Sequence, residues 1–340
     1  MQKFRVLIFL PLIFFICGCG EKEYSKVEFL MDTVVEIKVC HRNKTEAEEA
    51  IDAALEEIRR VEQRMSCFLP ASEVSRINKE ARLERTKSSA LPGDWIPVSD
   101  ELFSLLGEAV RLSDLTKGCF DITIYPLCRI WKFEDDNVTV PNRKKIEKAK
   151  ELVNYKNMII ENGKIKFAKI GMGVDLGGIA KGYGVDTAVK VLKEKNIKSA
   201  MVNAGGDIYV LGRKQGKPWR IGIRHPRKGK EILGVVDVED KAILTSGDYE
   251  RFFFFQGKRY HHILNPKTGY PADECQSVTI VAKRATFADG LATGVFVLGP
   301  KEGMNLIESL DEVEGVIVGK EGQVSVSSGL VSKIDYVDQK

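Results

Sequence analysis

Residues 169–195 read KIGMGVDLGGIAKGYGVDTAVKVLKEK, and where this stretch divides decides the fold. KIGMGVDL is strand-like, and IAKGYGVDTAVKVLKEK is helix-like. The glycine pair Gly177-Gly178 then marks a strand-to-helix junction. The first N–H groups of a helix are unpaired and sit at its positive end, so such a junction is a natural seat for a phosphate. Lys181 would add a full charge and Asp175 a carboxylate. The spacing is not that of a Walker A loop. A capped helix with a solvated lysine explains the stretch about as well as a ligand site does.

Outward from this junction, FLMDTVVEIKV alternates as a first strand. From Thr45 to Met65 the apolar positions Ala47, Ala50, Ile51, Ala54, Leu55, Ile58, Val61 and Met65 follow helical spacing, with charges on the other face. Ser99 caps a second helix that Lys117-Gly118 ends. Asn162-Gly163 lies between MII and IKF as a tight hairpin turn. SAMVNAG, DIYVLG, WRIGIR, LGVVDV, AILTSG and RFFFFQGKRYHHIL read as successive short strands. The last third adds a strand (SVTIVAK), a helix from about Thr286, a helix through GMNLIESL and a hairpin around VIVGKEGQVSV. Strands and helices in runs, without strict alternation, predict an α+β fold with mixed, mostly antiparallel sheets and flanking helices.

At the start, Lys3 and Arg5 precede VLIFLPLIFFIC, a run too short to span a membrane and right for a secretory signal. Ile16-Cys17-Gly18-Cys19 resembles a bacterial lipobox with Cys19 as the acylated residue. The expected organisation is a signal at 1–18, a polar tether at 19–26 and a single domain over 27–335, exported and anchored by lipid to a bacterial membrane. Losing Lys3 and Arg5 takes two charges from a formal +4. That balance gives no sign of a nucleic-acid partner. Cys40, Cys67, Cys119, Cys128 and Cys275 remain without C-x-x-C spacing, which predicts mostly free buried thiols.

Four further segments carry chemistry-bearing residues. In TFADGLATGVFVLG (286–299), Asp289 and Thr293 share a helix face and offer oxygens to a hard cation. Thr286 and Asp289 also fit a capping box. Gly290 and Gly294 each cost about 1 kcal/mol inside a helix, a penalty easier to understand if something approaches the backbone closely. In RYHHILNPKTGYP (259–271), His261 and His262 face opposite sides of a strand, so one can pack while the other enters a cleft, although a lone histidine is more often structural than catalytic. GCFDIT (118–123) sets Asp121 at a corner, where it accepts from a ligand or from the turn itself. NAGGD (203–207) is either a glycine turn or a close approach to a ligand.

Together these segments resemble the ApbE family of flavin transferases. Met31 in FLMDTVVEI, MSCFLPASEVSRIN, GCFDIT, DLGGIAKGYGVD, NAGGD, ILTSGDYERFF, HHILNPKTGYP and ADGLATGVFVLG occur in the family's order across nearly the whole mature chain. The resemblance implies an active site in a cleft between two subdomains. It implies FAD contacts at Met31, Cys119, Phe120, Asp121, Asp175, Lys181 and Leu264, with Phe68 as an aromatic to stack on the flavin and Thr245, Ser246 and Gly247 lining the cleft. Cys119 departs from the alanine common there. It implies Mg²⁺ at the Gly178 carbonyl, Asp289 and Thr293, and His262 as the base.

The activity so implied moves FMN from FAD to a threonine or serine hydroxyl, releasing AMP. The acceptor would be a redox flavoprotein with a Ser/Thr-Gly-Ala-Ser/Thr-like segment. Hydrolysis of FAD to FMN and AMP, or flavin binding without catalysis by a lipoprotein, are the alternatives.

Overall fold

The computed structural model describes residues 21–82, 94–133, 139–229 and 231–336. The expected signal at 1–18 and Cys19 lie outside them. The described chain runs β1 (Lys22–Leu30), β2 (Thr33–His41), α1 (Lys44–Met65), α2 (Glu73–Glu80), β3 (Ile96–Pro97), α3 (Asp100–Leu115), α4 (Tyr125–Trp131) and α5 (Arg143–Lys150). It continues with β4 (Met158–Glu161), β5 (Lys164–Phe167), α6 (Ala180–Glu194), β6 (Ala200–Ala204), β7 (Asp207–Leu211), β8 (Trp219–Arg224), β9 (Ile232–Val238) and β10 (Lys241–Gly247). Then come β11 (Phe252–Phe255), β12 (Lys258–His261), β13 (Cys275–Ala282), α7 (Ala285–Leu298), α8 (Pro300–Glu308), β14 (Glu314–Gly319), β15 (Val324–Val326), α9 (Ser328–Val331) and β16 (Ile334–Tyr336).

Eight strands form the central sheet in the order β1-β2-β6-β7-β10-β13-β14-β15, every neighbour antiparallel. Period-two alternation gives this sheet two apolar faces. Val202, Ile280 and Ile317 point into the main core with the helices, while Met201, Val281 and Val316 point into a second core with Trp219 and Val236 of the small β16-β9-β8 sheet. A third cluster, Leu127, Trp131, Ile146, Ala149 and Leu264, lies under α4 and α5. The α+β reading with mostly antiparallel sheets therefore holds.

The eight apolar positions expected to face inward from the first long helix are the eight that α1 buries. Full burial of one large aliphatic side chain stabilises by about 1.5–3 kcal/mol, so this face alone fixes α1 on the core. Ser99 caps α3 as expected, accepting from Leu102 N, and Asn162-Gly163 turns β4 into β5 with both residues at positive φ.

Four expectations fail, each for a local reason. FLMDTVVEIKV is not one strand, because Met31 (φ 53°) and Asp32 (φ 57°) form the left-handed turn of a hairpin. Its first arm, β1, starts at Lys22, inside the residues expected to be a tether. RFFFFQGKRYHHIL likewise folds back at Gln256-Gly257 into β11 and β12. KIGMGVDL pairs with no strand. Its backbone is satisfied by a side chain instead: the Asn78 amide donates to Val174 O at 2.8 Å and accepts from Val174 N at 2.7 Å.

Glu101 ties three helices together. It accepts from Arg60 at 2.7 and 2.6 Å, from Arg64 at 3.0 Å and from the Tyr183 hydroxyl at 2.9 Å. The Arg60 guanidinium above all, helped by Tyr183, holds the Glu101 carboxyl down at about 2. A depressed carboxyl stabilises above its unfolded value and loses that contribution as pH falls through the folded one. Glu101→Gln is therefore expected to cost about 1–2 kcal/mol in urea unfolding at pH 7. The gap from wild type should close as pH falls from about 4.5 toward 2, and a gap that persists there would show that the ionised carboxylate is not its source.

Candidate functional site

α6 and α7 pack antiparallel, and the site grows from that contact. Neither helix has a side-chain cap of its own. Each takes one from the other. Asp186 of α6 accepts from Ala285 N at 2.8 Å, Thr286 N at 2.9 Å and Thr286 Oγ1 at 2.6 Å. Asp289 of α7 accepts from Gly182 N at 2.8 Å. One turn further along, a methyl group added to Gly178 would lie 3.2 Å from Thr293 Oγ1. Residues 186, 182 and 178 thus meet 285–286, 289 and 293 as three rungs four residues apart. The capping-box reading of Thr286 and Asp289 is overturned, since the carboxylate at the start of α7 comes from Asp186 and that of Asp289 crosses to α6.

Close approach sets the composition of these rungs. A Cβ on Gly182 would stand 2.3 Å from Ala285 O, so no larger residue fits without parting the helices. Gly290 and Gly294 are small for a reason other than a ligand. Side chains there would strike Leu112 Cδ1 at 2.5 Å and Thr116 Cγ2 at 2.4 Å, and Phe120 packs alongside.

Around the upper rungs, Ser246 Oγ lies 3.2 Å from Thr293 Oγ1, and Thr245 Oγ1 lies 2.8 Å from Thr279 Oγ1. Lys181 pairs with the buried Asp207. NAGGD is the glycine turn of the two readings, with Gly205 and Gly206 both at positive φ between β6 and β7. Its last residue, Asp207, belongs to the site, a role the sequence had not assigned. Burial, reinforced by the neighbouring Asp207 charge, pushes the Asp289 carboxyl up to about 7 even though Lys181 opposes the shift. For Lys181, burial works against the charge, yet Asp207 and Asp289 outweigh it and the ammonium is held above its ordinary range.

Of the two adjacent histidines, His261 is the packed one. His261 is buried, with Nε2 2.6 Å from Ala272 O and its ring edge-on to Phe296. His262 is half-buried, and its Nδ1 is 3.4 Å from Arg251 O. Burial first, then the charges of Arg251, His261 and Lys181, bring its imidazole down to about 3. It is therefore neutral at physiological pH.

The remaining expected contacts differ in how they lie. Met31 reaches α6, where its sulfur would be 3.2 Å from a Cβ on Gly184. Asp175 bends back on the glycine pair, accepting from Gly177 N at 2.8 Å and from Cys67 Sγ at 3.4 Å. Asp121 follows the turn reading, for it accepts from Thr123 N, Thr123 Oγ1 and Tyr155 N at 2.8, 2.6 and 2.9 Å and is buried. Burial raises its carboxyl above the usual range in spite of those bonds. Cys119 and Phe120 are buried, the thiol 3.7 Å from Lys267 Nζ. Leu264 is packed in the third core cluster. Phe68 is 58% exposed. Gly247 ends β10.

Among the described residues no three His, Cys, Asp or Glu side chains cluster as a metal site. The donor set at the top rungs is of another kind: one buried carboxylate, hydroxyls of Thr293 and Ser246, and the backbone at Gly178. Such all-oxygen donors fit Mg²⁺ and do not fit zinc. Asp207, paired with Lys181, lies close enough to Asp289 to raise its carboxyl. A recess of about 550 Å³ between α1 and α2, lined by Arg64, Ser72, Arg76 and Lys79 among others, contains none of these groups.

Residues 31–317 match the model of the ApbE family. The FAD:protein FMN transferase of Treponema pallidum is 31% identical over 97% of this chain and 95% of its own length. That of Vibrio cholerae is 34% identical over 89% of this chain and 90% of its own. Among solved structures, the ApbE protein of Thermotoga maritima superposes with a TM-score of 0.81 at 34% identity, covering 91% of this chain and 98% of its own. The flavin transferase ApbE of Vibrio cholerae gives 0.77 at 30%, covering 92% and 99%.

In most helices, alanine in place of glycine gains about 1 kcal/mol. Gly182→Ala should do the reverse, lowering stability in chemical denaturation by about 1–3 kcal/mol as α6 and α7 are forced apart. A variant as stable as wild type would mean that the close contact is not tight.

Proposed function

The chain belongs to the ApbE family, and on that premise we propose that it transfers FMN from FAD to a threonine or serine hydroxyl of an acceptor flavoprotein, releasing AMP. The observation that supports the reading is the packing of Gly178 against Thr293 and of Gly182 against Asp289, with Lys181 paired to Asp207. In the proposed step the acceptor oxygen bonds to the FMN-side phosphorus, the bond from that phosphorus to the bridging oxygen breaks, and the oxygen departs with AMP. The hydroxyl proton passes to His262.

Each residue has a task suited to its surroundings. Lys181, held charged by Asp207, sets a cation beside the negative pyrophosphate. His262 points Nδ1 toward Arg251 O, which leaves Nε2 as the lone-pair nitrogen for the proton. Its pKa of about 3 keeps it neutral and ready. An anionic nucleotide would offset Arg251 and Lys181 and make the imidazole more basic in the loaded site. Asp289, Thr293 and the Gly178 carbonyl are the groups that would hold Mg²⁺, which when bound supplies charge neutralisation on the phosphate oxygens. Export and acylation at Cys19 belong to the same reading. With β1 starting at Lys22, a lipid at Cys19 would hold the folded body close to a membrane surface.

Incubation with FAD, Mg²⁺ and a candidate acceptor should add one FMN to that acceptor by mass, and chelation should abolish the transfer. Asp289→Ala is expected to remove activity while a folded protein remains, and full activity would refute the metal assignment. His262→Ala should still bind FAD but transfer about 10²- to 10⁴-fold more slowly. Loss of FAD binding would instead mark a structural histidine.

A further inference from the structure

Asp186 stands at the foot of the α6–α7 ladder, one rung below Asp289 and two below Thr293, and is not part of the proposed chemistry. Its carboxylate nonetheless makes three short bonds to the first turn of α7. The residue at the cap position, Arg284, makes no side-chain cap. Its guanidinium instead bonds Glu108 at 2.9 Å and lies 3.9 Å from Asp186. Asp289 cannot set the helix register alone, since its carboxylate both caps Gly182 N and is assigned to the cation.

We infer that Asp186 is a positioning residue for the divalent cation: by fixing where α7 begins, it sets Asp289 and Thr293 against Gly178. This inference rests on the metal assignment of the proposed function. Its physical basis is leverage along a rigid element. From Ala285 to Thr293 the helix runs about 12 Å, so a shift or tilt of its first turn is passed undamped to the two donors. Groups that orient ligands without touching the ion are typically worth 10- to 100-fold in metal affinity.

The test uses the folded mature chain without FAD and measures Mn²⁺ binding by the loss of the free-ion EPR signal. Asp186→Asn keeps the side-chain shape but removes the charge and part of the accepting capacity. It should weaken Mn²⁺ binding about ten-fold or more. Glu101→Gln serves as the comparison, since it loosens the tie between α1, α3 and α6 without touching the bonds that start α7, and it should bind within about two-fold of wild type. Asp186→Asn binding as tightly as wild type would overturn the inference, as would equal weakening by both variants, which would make Asp186 merely structural. Should Asp186→Asn fail to fold, Thr286→Val, which removes only the hydroxyl donor to Asp186, takes its place. A weakening of about three-fold supports the inference, and unchanged affinity overturns it. Wild-type protein that takes up no Mn²⁺ would sink the metal assignment beneath the inference, an outcome distinct from the failure of Asp186 alone.

Discussion

Two helices that cannot finish their own N-termini are finished by each other, and the rest of the site depends on that exchange. The unpaired N–H groups at the head of α6 are met by a carboxylate from α7, and those of α7 by one from α6. Each bond requires the helices to lie antiparallel, in one register and nearly in contact. Glycine at position 182 permits the contact, and the four-residue spacing carries the register up to Gly178 and Thr293. The contact of Gly178 with Thr293 is thus the last rung of a structural ladder, held by bonds from main-chain N–H groups to carboxylates below it.

The charges follow from the same packing. Bringing Asp289 to the head of α6 places it near Asp207, and two carboxylates out of water repel one another unless something positive lies between. Lys181 pairs with Asp207, and its charge also reaches Asp289. Burial, with Asp207 beside it, still leaves the Asp289 carboxyl with a raised affinity for a proton. The condition that favours a proton in the resting site also favours a divalent cation. His262 is kept uncharged by burial and by the charges of Arg251, His261 and Lys181.

Much of this was legible in the sequence, and what escaped has physical reasons. Helical periodicity found every buried position of α1, because a single amphipathic face against a large core leaves a clear pattern. Asn162-Gly163 announced its turn, whereas Met31-Asp32 hid another, since left-handed φ at non-glycine residues is set by tertiary contacts such as the Met31 N–H bond to Glu62 Oε1 at 2.8 Å. KIGMGVDL looks like a strand because it is extended and apolar, and no local pattern discloses that Asn78, nearly a hundred residues earlier, replaces its partner strand. The shared helix face of Asp289 and Thr293 was legible from their four-residue spacing. Asp186 and Asp207 were missed because each is defined by a bond across the fold. The available hint was a carboxylate beside the otherwise buried run Val185, Ala188 and Val189.

The central claim is a place: a divalent cation belongs between the turn that starts α6 and the second and third turns of α7. The most direct measurement is anomalous diffraction from crystals of this protein soaked in Mn²⁺. The account predicts one strong peak within bonding distance of the Gly178 carbonyl oxygen, the Asp289 carboxylate and Thr293 Oγ1. Ordered crystals with no peak there, or with the metal held by other side chains, would contradict it.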